Sequence, residues 1–324
     1  MKAIRVAGKR LVWTDAEAPA GEPGPGHVRI SIRASAVNRA DLLQRAGGYP
    51  PPPGASDILG LECAGVVEAL GDGVVRVDVG DAVCAVLAGG GYAETVVVPA
   101  GQVLKVPRDL TFVEAASLPE VFATAYLNLY MEARLKLRET ALLHAGASGV
   151  GTAAIQLCRE FGNPCYVTAG SESKVARCIE LGAAAGCDRH TASFADEVRE
   201  WTAGEGVDVI LDPVGGAYLA DNLRSLKLDG RLVVIGLMDG TRAELPLGAM
   251  LAKRLSIMGS TLRSRTIAQK AAVMDALRDR VWPKIEAGAI RPVIDTVFPM
   301  DRAEEAHSLI ASNETFGKVA LEVP

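Results

Sequence analysis

Residues 140–162 read TALLHAGASGVGTAAIQLCREFG. An apolar strand ends at His144, glycines follow at Gly146, Gly149 and Gly151, and a helix is predicted from Gly149 to Phe161. Its residues Val150, Ala154, Leu157, Cys158 and Phe161 share one face. Small side chains in a tight strand-to-helix turn let backbone N–H groups and the positive helix end approach a pyrophosphate. The spacing is GxxGxG rather than the commoner GxGxxG, and a glycine motif alone is weak. Here it follows a strand, opens a helix and sits inside a βαβ unit, the context a dinucleotide-binding turn requires.

From about residue 139 to 260, strands and helices alternate: ETALLHAGA, the helix after it, PCYVTAGS, a helix from Lys174, VDVILDPVGG, GRLVVIGLM and LSIMGST. Strongly apolar strands alternating with helices predict a parallel sheet covered on both faces, a doubly wound α/β domain. The second strand ends at YVTAGSESK, where an acidic side chain ordinarily holds the ribose hydroxyls of NAD. Gly170 and Ser171 occupy that tip, and Ser171 with Lys174 suits a 2′-phosphate, so NADPH is the expected cofactor. Glu172 leaves a ribose contact open, and Arg189, after the third strand, is a candidate to close over the phosphate.

Before that domain the pattern is different. Short strands broken by glycine and proline, such as HVRISIRASAV and GVVRVDVGDAV, predict a mostly antiparallel β domain. In the second segment Val75, Val77 and Val79 alternate with Arg76 and Asp78, as in a strand with one wet face. The spacing turns helical after Thr111, which places a boundary near residues 115–125. After the doubly wound region come a long helix, TIAQKAAVMDALRDRVWPKIEAG, a strand IRPVIDTVF, a short helix through Glu305 and a final strand KVALEV. These last 60 or so residues are too few for another doubly wound unit and are expected to complete the first domain.

At 324 residues the chain is long enough for two domains, and 49% hydrophobic with 23% charged residues is a globular balance. Acidic residues outnumber basic ones 39 to 34, which argues against nucleic acid or an anionic membrane as the main partner. Six cysteines, at 63, 84, 158, 165, 178 and 187, show no metal-knuckle spacing and are expected to be reduced and structural. With no signal-like segment at the start and no apolar run of membrane-span length, a cytoplasmic protein is the default expectation.

In chain order, NRADLLQRAGGYPPPPGASDILGLECAG, HAGASGVGTAAIQL, DPVGG, GLMDG and STLRSRT resemble the zinc-independent quinone oxidoreductases of the medium-chain dehydrogenase/reductase superfamily, most of all the p53-inducible quinone oxidoreductase branch. The resemblance runs nearly end to end. It implies a GroES-like β-barrel catalytic domain from residues 1–120 and 262–324, and a Rossmann dinucleotide-binding domain over 121–261. Zinc-dependent relatives carry an early cysteine ligand, a GHE histidine and a four-cysteine lobe. Here those places read SAVNRAD and GLECAG and the lobe is missing, so no metal is expected.

The resemblance also implies site residues. Asn38 is placed beside the nicotinamide ribose and Thr124 on the nicotinamide side; Ser148, Gly149, Val150 and Gly151 form the pyrophosphate turn. Gly170, Ser171 and Lys174 match the 2′-phosphate loop, with Arg189 where relatives often have tyrosine. Gly236, Leu237 and Met238 match a loop against the nicotinamide, Ser260 to Arg263 with Leu262 a segment closing the cleft, and Asn313 and Lys318 positions reaching cofactor phosphates. Tyr49, ahead of the stiff run Pro50 to Pro53, is the candidate substrate contact, and with Asn38 the candidate catalytic pair. Asp41 reads as a helix N-terminal residue that stabilises its turn.

No paired carboxylates, serine triad or activated cysteine stand out in the sequence. Quinones and conjugated enones accept hydride to give stabilised phenolates or enolates, so a strong protein acid is less necessary for them than for a simple ketone. With the five motifs and the missing zinc ligands, the resemblance implies NADPH-dependent quinone reduction as the expected activity. Enone or alkenal double-bond reduction, and an NADPH-dependent binding protein, are the alternatives. The resemblance also implies a homodimer, with LSIMGSTL as the edge strand of the Rossmann sheet, apolar enough to need a partner.

Overall fold

The computed structural model describes residues 1–8 and 10–324. Two compact units are present: Met1–Ala123 with Leu262–Pro324, and Thr124–Thr261. The first begins with the hairpin β1 (Lys2–Ala7) and β2 (Arg10–Asp15), followed by β3 (His27–Val37), helix α1 (Arg39–Arg45), β4 (Glu62–Leu70), β5 (Ala82–Val86), β6 (Thr95–Pro99) and β7 (Val103–Lys105). Helices α2 (Phe112–Ala116) and α3 (Pro119–Tyr126) end this stretch, and a π-helical turn over Leu127–Glu132 continues from α3.

β3 is the central strand of the barrel-like sheet. Val28, Ile30 and Ile32 alternate into one core with Val67, Val83, Val96 and Val98, while Ala34 to Val37 are buried on both faces. It pairs antiparallel with β4 and β6. The valine alternation at Val75, Val77 and Val79 does not form a strand. Only Val77 is buried; Val75 and Val79 are 92% and 62% exposed. Left-handed Gly73 and Gly80 bracket the segment, and the Asp81 carboxylate accepts the Asp78 N–H at 2.7 Å, so turn chemistry takes the backbone groups that a ladder would need. Strand pairing resumes at Ala82.

The second unit contains β8 (Ala141–Leu143), α4 (Gly149–Phe161), β9 (Cys165–Ala169), α5 (Glu172–Leu181), β10 (Ala185–Asp188), α6 (Phe194–Trp201), β11 (Val207–Asp212), α7 (Leu219–Ser225), β12 (Leu226–Val234), α8 (Leu247–Lys253) and β13 (Ser256–Gly259). All pairings are parallel, in the order β10-β9-β8-β11-β12-β13. Counted within the unit this is 3-2-1-4-5-6, the Rossmann order, whose direction reverses beside β8. β8 and β11 are buried along their whole length, as strands covered on both faces must be. α5 begins at Glu172, two residues before the expected Lys174, because Ser171 caps it.

The chain then returns to the first unit with α9 (Ile267–Arg280), α10 (Trp282–Glu286), β14 (Ile294–Pro299), α11 (Ala303–Ser312) and β15 (Lys318–Glu322). The single long helix expected here breaks at Val281, next to Pro283, which has no N–H for a continuing ladder. β15 pairs antiparallel with β3. The fold is thus α/β, a GroES-like domain with a doubly wound parallel-sheet domain. All six cysteines are buried and free, and among the described residues no helix is long and apolar enough to cross a membrane.

Candidate functional site

In the second unit the turn after β8 opens α4. The Ser148 hydroxyl accepts the Gly151 N–H at 3.0 Å, and Ala145 takes a left-handed φ of 54° to make the bend. A side chain on Gly151 would come within 2.4 Å of the Ala145 carbonyl oxygen, so the turn closes only over glycine. α4 is buried from Gly151 to Cys158, while Gly149 and Val150 are half-exposed and Ser148 is exposed. The first N–H groups of a thirteen-residue helix therefore face outward at the sheet's switch point. That geometry fits a dinucleotide pyrophosphate.

At the end of β9, Ser171 caps α5 by accepting the Lys174 N–H at 3.3 Å. The Arg189 guanidinium lies over Gly170: a Cβ there would sit 3.8 Å from Nη2 and 4.0 Å from His190 Nε2. Gly170, Ser171, Lys174 and Arg189 thus share one corner, with Glu172 exposed at the first helical position. The GLM loop after β12 is zipped to the DPVGG loop after β11. Met238 N–H donates to Pro213 O at 3.2 Å and Asp239 N–H to Val214 O at 2.8 Å. Leu237 and Met238 remain 55% and 46% exposed, an apolar surface at the carboxyl ends of the strands.

Sequence reading passed over His144 as a strand end. Its buried ring meets Thr168 Oγ1 at 3.0 Å and Asn222 Oδ1 at 2.7 Å, between the rings of Phe194 and Tyr218. Asn222 Nδ2 donates to Asp212 Oδ2 at 2.9 Å, and the other Asp212 oxygen accepts the N–H groups of Val214 and Gly215. This network holds the DPVGG loop against β8 and β9. Burial pushes His144 down to about 4, so the ring is neutral.

In the first unit the corresponding feature is a string of charges. The Lys318 ammonium is 2.7 Å from Glu62 Oε1, 2.7 Å from Asn38 Oδ1 and 2.8 Å from the Val37 carbonyl. All three of its protons are engaged inside the unit. The expectation that Lys318 reaches a cofactor phosphate is corrected here: an ammonium with three partners inside the unit has no proton left to offer. Asn38 is likewise committed, its Nδ2 donating to Glu62 Oε1 at 2.9 Å. Asn313 ends α11 in the left-handed conformation and accepts from Arg39, a helix-stop geometry.

Asp41 does cap α1, accepting the Asn38 N–H at 2.8 Å, but it is more than a turn residue. It is wholly buried, accepts from Gly60 N–H at 3.0 Å and Tyr92 hydroxyl at 3.2 Å, and burial pushes it up to about 6. Tyr92 in turn meets His307 Nε2 at 3.2 Å. Glu62 Oε2 accepts the backbone N–H of Glu120 at 2.9 Å, bringing two acids 58 residues apart into one cluster. Burial, then the Glu62 charge, pushes the Glu120 carboxyl up to about 8.

The half-buried Tyr49 ring lies under the Arg263 guanidinium, 5.2 Å from its centroid. Arg263 is pinned by Ala88 O at 2.8 Å, Tyr49 O at 3.2 Å and Gln44 Oε1 at 2.7 Å, and Lys270 Nζ donates to the Arg263 carbonyl at 3.0 Å. The neighbouring Leu262 is buried. Thr124 is half-buried on α3, its carbonyl accepting from Asn128 at 2.7 Å. Burial raises the Tyr49 hydroxyl above its ordinary 10, Glu120 adding to it and Arg263 opposing.

Residues 24–108 match the alcohol dehydrogenase GroES-like domain, and residues 149–278 match the zinc-binding dehydrogenase family. A mycobacterial protein solved with NADPH superposes at TM-score 0.88 and 30% identity, covering 99% of this chain and 100% of that one. The chain belongs to the medium-chain dehydrogenase/reductase superfamily. A quinone oxidoreductase from Pseudomonas syringae pv. tomato is 30% identical at TM-score 0.86 over 99% of both chains. An NAD-dependent alcohol dehydrogenase is 31% identical at TM-score 0.85 over 100% of both. A mycocerosic acid synthase-like polyketide synthase of Mycobacterium tuberculosis is 34% identical over 93% of this chain, which spans 14% of that protein's length.

The turn at Ser148–Gly151 has the geometry that a dinucleotide pyrophosphate requires. Zinc does not fit. Among the described residues no group of three or more His, Cys, Asp or Glu is arranged to hold a metal, and the Lys318 ammonium sits among the oxygens of Glu62, Asn38 and Val37. Glu62, Glu120 and Lys270 were missed because pairing across elements carries no sequence spacing. The one available signal was an acid standing in an apolar run, as in LPEVFATAY and GLECAG.

Proposed function

We propose that this protein reduces quinones by hydride transfer from NADPH, without a metal. The cofactor choice rests on the corner formed by Ser171, Lys174 and Arg189 around Gly170, where hydroxyl and cationic donors suit a 2′-phosphate and no acid takes the strand tip. The observation that carries the acceptor class is Tyr49. Its half-buried ring rests on Arg263, and its hydroxyl has no hydrogen-bond partner among the described residues. A flat π-face beside a free donor suits a flat conjugated carbonyl.

When bound, the nicotinamide supplies hydride. The chain binds its phosphates with the α4 N-terminus, and the His144–Asn222–Asp212 network keeps the DPVGG loop fixed beside the GLM loop. Tyr49, held by Arg263, orients the acceptor and donates a hydrogen bond to the oxygen on which charge develops. A homodimer through the edge strand β13 accompanies this reading, and a stable monomer in light scattering counts against it.

The test is an anaerobic assay of the purified protein with NADPH and NADH separately, offered an ortho-quinone, a para-quinone and an alkenal. NADPH-selective quinone turnover is expected. A large preference for the alkenal moves the substrate class to enones. Tight NADPH binding without turnover of any acceptor overturns the enzymatic reading in favour of a nucleotide-dependent binding protein.

A further inference from the structure

Three carboxyl groups converge in the first unit, and two are fully committed. Glu62 is wholly buried and its oxygens are taken by Lys318, Asn38 and the Glu120 N–H. Asp41 is wholly buried and holds the N–H groups of Asn38 and Gly60 and the Tyr92 hydroxyl. Glu120 differs. It is half-buried at the start of α3, and among the described residues its carboxyl has no hydrogen-bond partner. An acid left unpartnered among so many paired groups is placed for something that comes from outside.

We propose that Glu120 is the acid of this site, its neutral carboxyl giving a proton to the acceptor oxygen as hydride reaches the conjugated carbonyl. The inference rests on the reductase reading above. The balance is simple: hydride from the reduced nicotinamide brings two electrons and one proton to the acceptor, leaving an anionic oxygen. The Glu120 O–H bond breaks and an acceptor O–H bond forms. The resulting carboxylate regains its proton from water. The nicotinamide is oxidised and the carbonyl reduced.

Burial raises the Tyr49 hydroxyl above its ordinary 10, which makes it a weaker acid than the Glu120 carboxyl at neutral pH; it orients while Glu120 donates. The groups facing Glu120 set when it is protonated. Glu62 on β4 and Asp41 on α1 favour the neutral acid, Lys318 on β15 and Lys270 on α9 oppose it, and Tyr49 and Arg263 flank it from their loops. The outcome, about 8, lies close to the pH at which an acid works best.

Two readouts test this. In the nucleotide-free protein, infrared titration is expected to show a protonated carboxyl lost through about pH 8 and missing in Glu120→Gln. In turnover, kcat/KM should fall above that pH; Glu120→Gln should lower it on the order of 100-fold and abolish the limb, while Tyr49→Phe keeps the limb. Lys270→Met should move the limb upward, and this variant and Glu120→Asp keep the test open if Glu120→Gln misfolds. If the wild-type protein reduces conjugated carbonyls and Glu120→Gln leaves rate and pH profile unchanged, Glu120 is not the acid and the reductase reading stands. If the wild-type protein reduces neither quinone nor alkenal with either nucleotide, the reductase reading falls and the acid role with it.

Discussion

Lys318 and Glu62 form a 2.7 Å ion pair in which the side chains are 4% and 0% exposed. Each is the other's main compensation for leaving water, and Asn38 fills the remaining valences. Lys318→Met should therefore cost about 3–5 kcal/mol, because it strands a buried carboxylate. Urea denaturation of the single variant and of the double variant Glu62→Leu/Lys318→Met checks this. The double variant should recover part of the loss, and an equal or larger loss would contradict the pairing.

His144 makes the protein sensitive to acid. Burial pushes it down to about 4 in the folded chain, while an unfolded histidine titrates near 6.5. Between those values the unfolded state binds more protons. The stability present above about pH 6.5 is thus lost as pH falls toward about 4. His307, also pushed down to about 4 by burial, adds to the same slope. Asp41 and Glu120, pushed up to about 6 and about 8 by burial, act in the opposite sense over the same window, so the readout is comparative: as pH falls through it, the urea midpoint of the wild-type protein should lose ground to that of His144→Gln.

Arg189 lies over Gly170 beside the Ser171 cap. A charge-assisted hydrogen bond to a 2′-phosphate contributes about 1.5–3 kcal/mol. Arg189→Ala should weaken NADPH binding on the order of tenfold or more and leave NADH binding within about twofold, read by calorimetry. Equal losses for both nucleotides would place Arg189 elsewhere than at the phosphate.

Gly151 has no room for a methyl group, with carbonyl oxygens 2.4 and 2.5 Å from where its Cβ would stand. Gly151→Ala must push the turn away from α4 and misdirect its N–H groups. Loss of nucleotide binding by at least about tenfold is expected, with far-ultraviolet circular dichroism unchanged. Binding at wild-type strength would show that the turn is not where the pyrophosphate rests.

Periodicity made the elements of the second unit legible because each is a local pattern. The helix Gly149–Phe161 follows from apolar spacing and from the glycine turn ahead of it, and parallel strands announce themselves as apolar runs. Local pattern also misled. The valines at 75, 77 and 79 have strand spacing, yet glycine turns on both sides leave two of them in water.

The sequence by itself determined the two-part α/β architecture, the glycine turn and the superfamily, because these depend on short-range spacing and on motif order. Tertiary structure alone decided the charge pattern of the first unit. It sent Lys318 inward to Glu62, left Glu120 unpartnered, and set Tyr49 on Arg263. The physical reason is that a charge's partner is chosen by desolvation across elements tens or hundreds of residues apart, and that energy has no period along the chain.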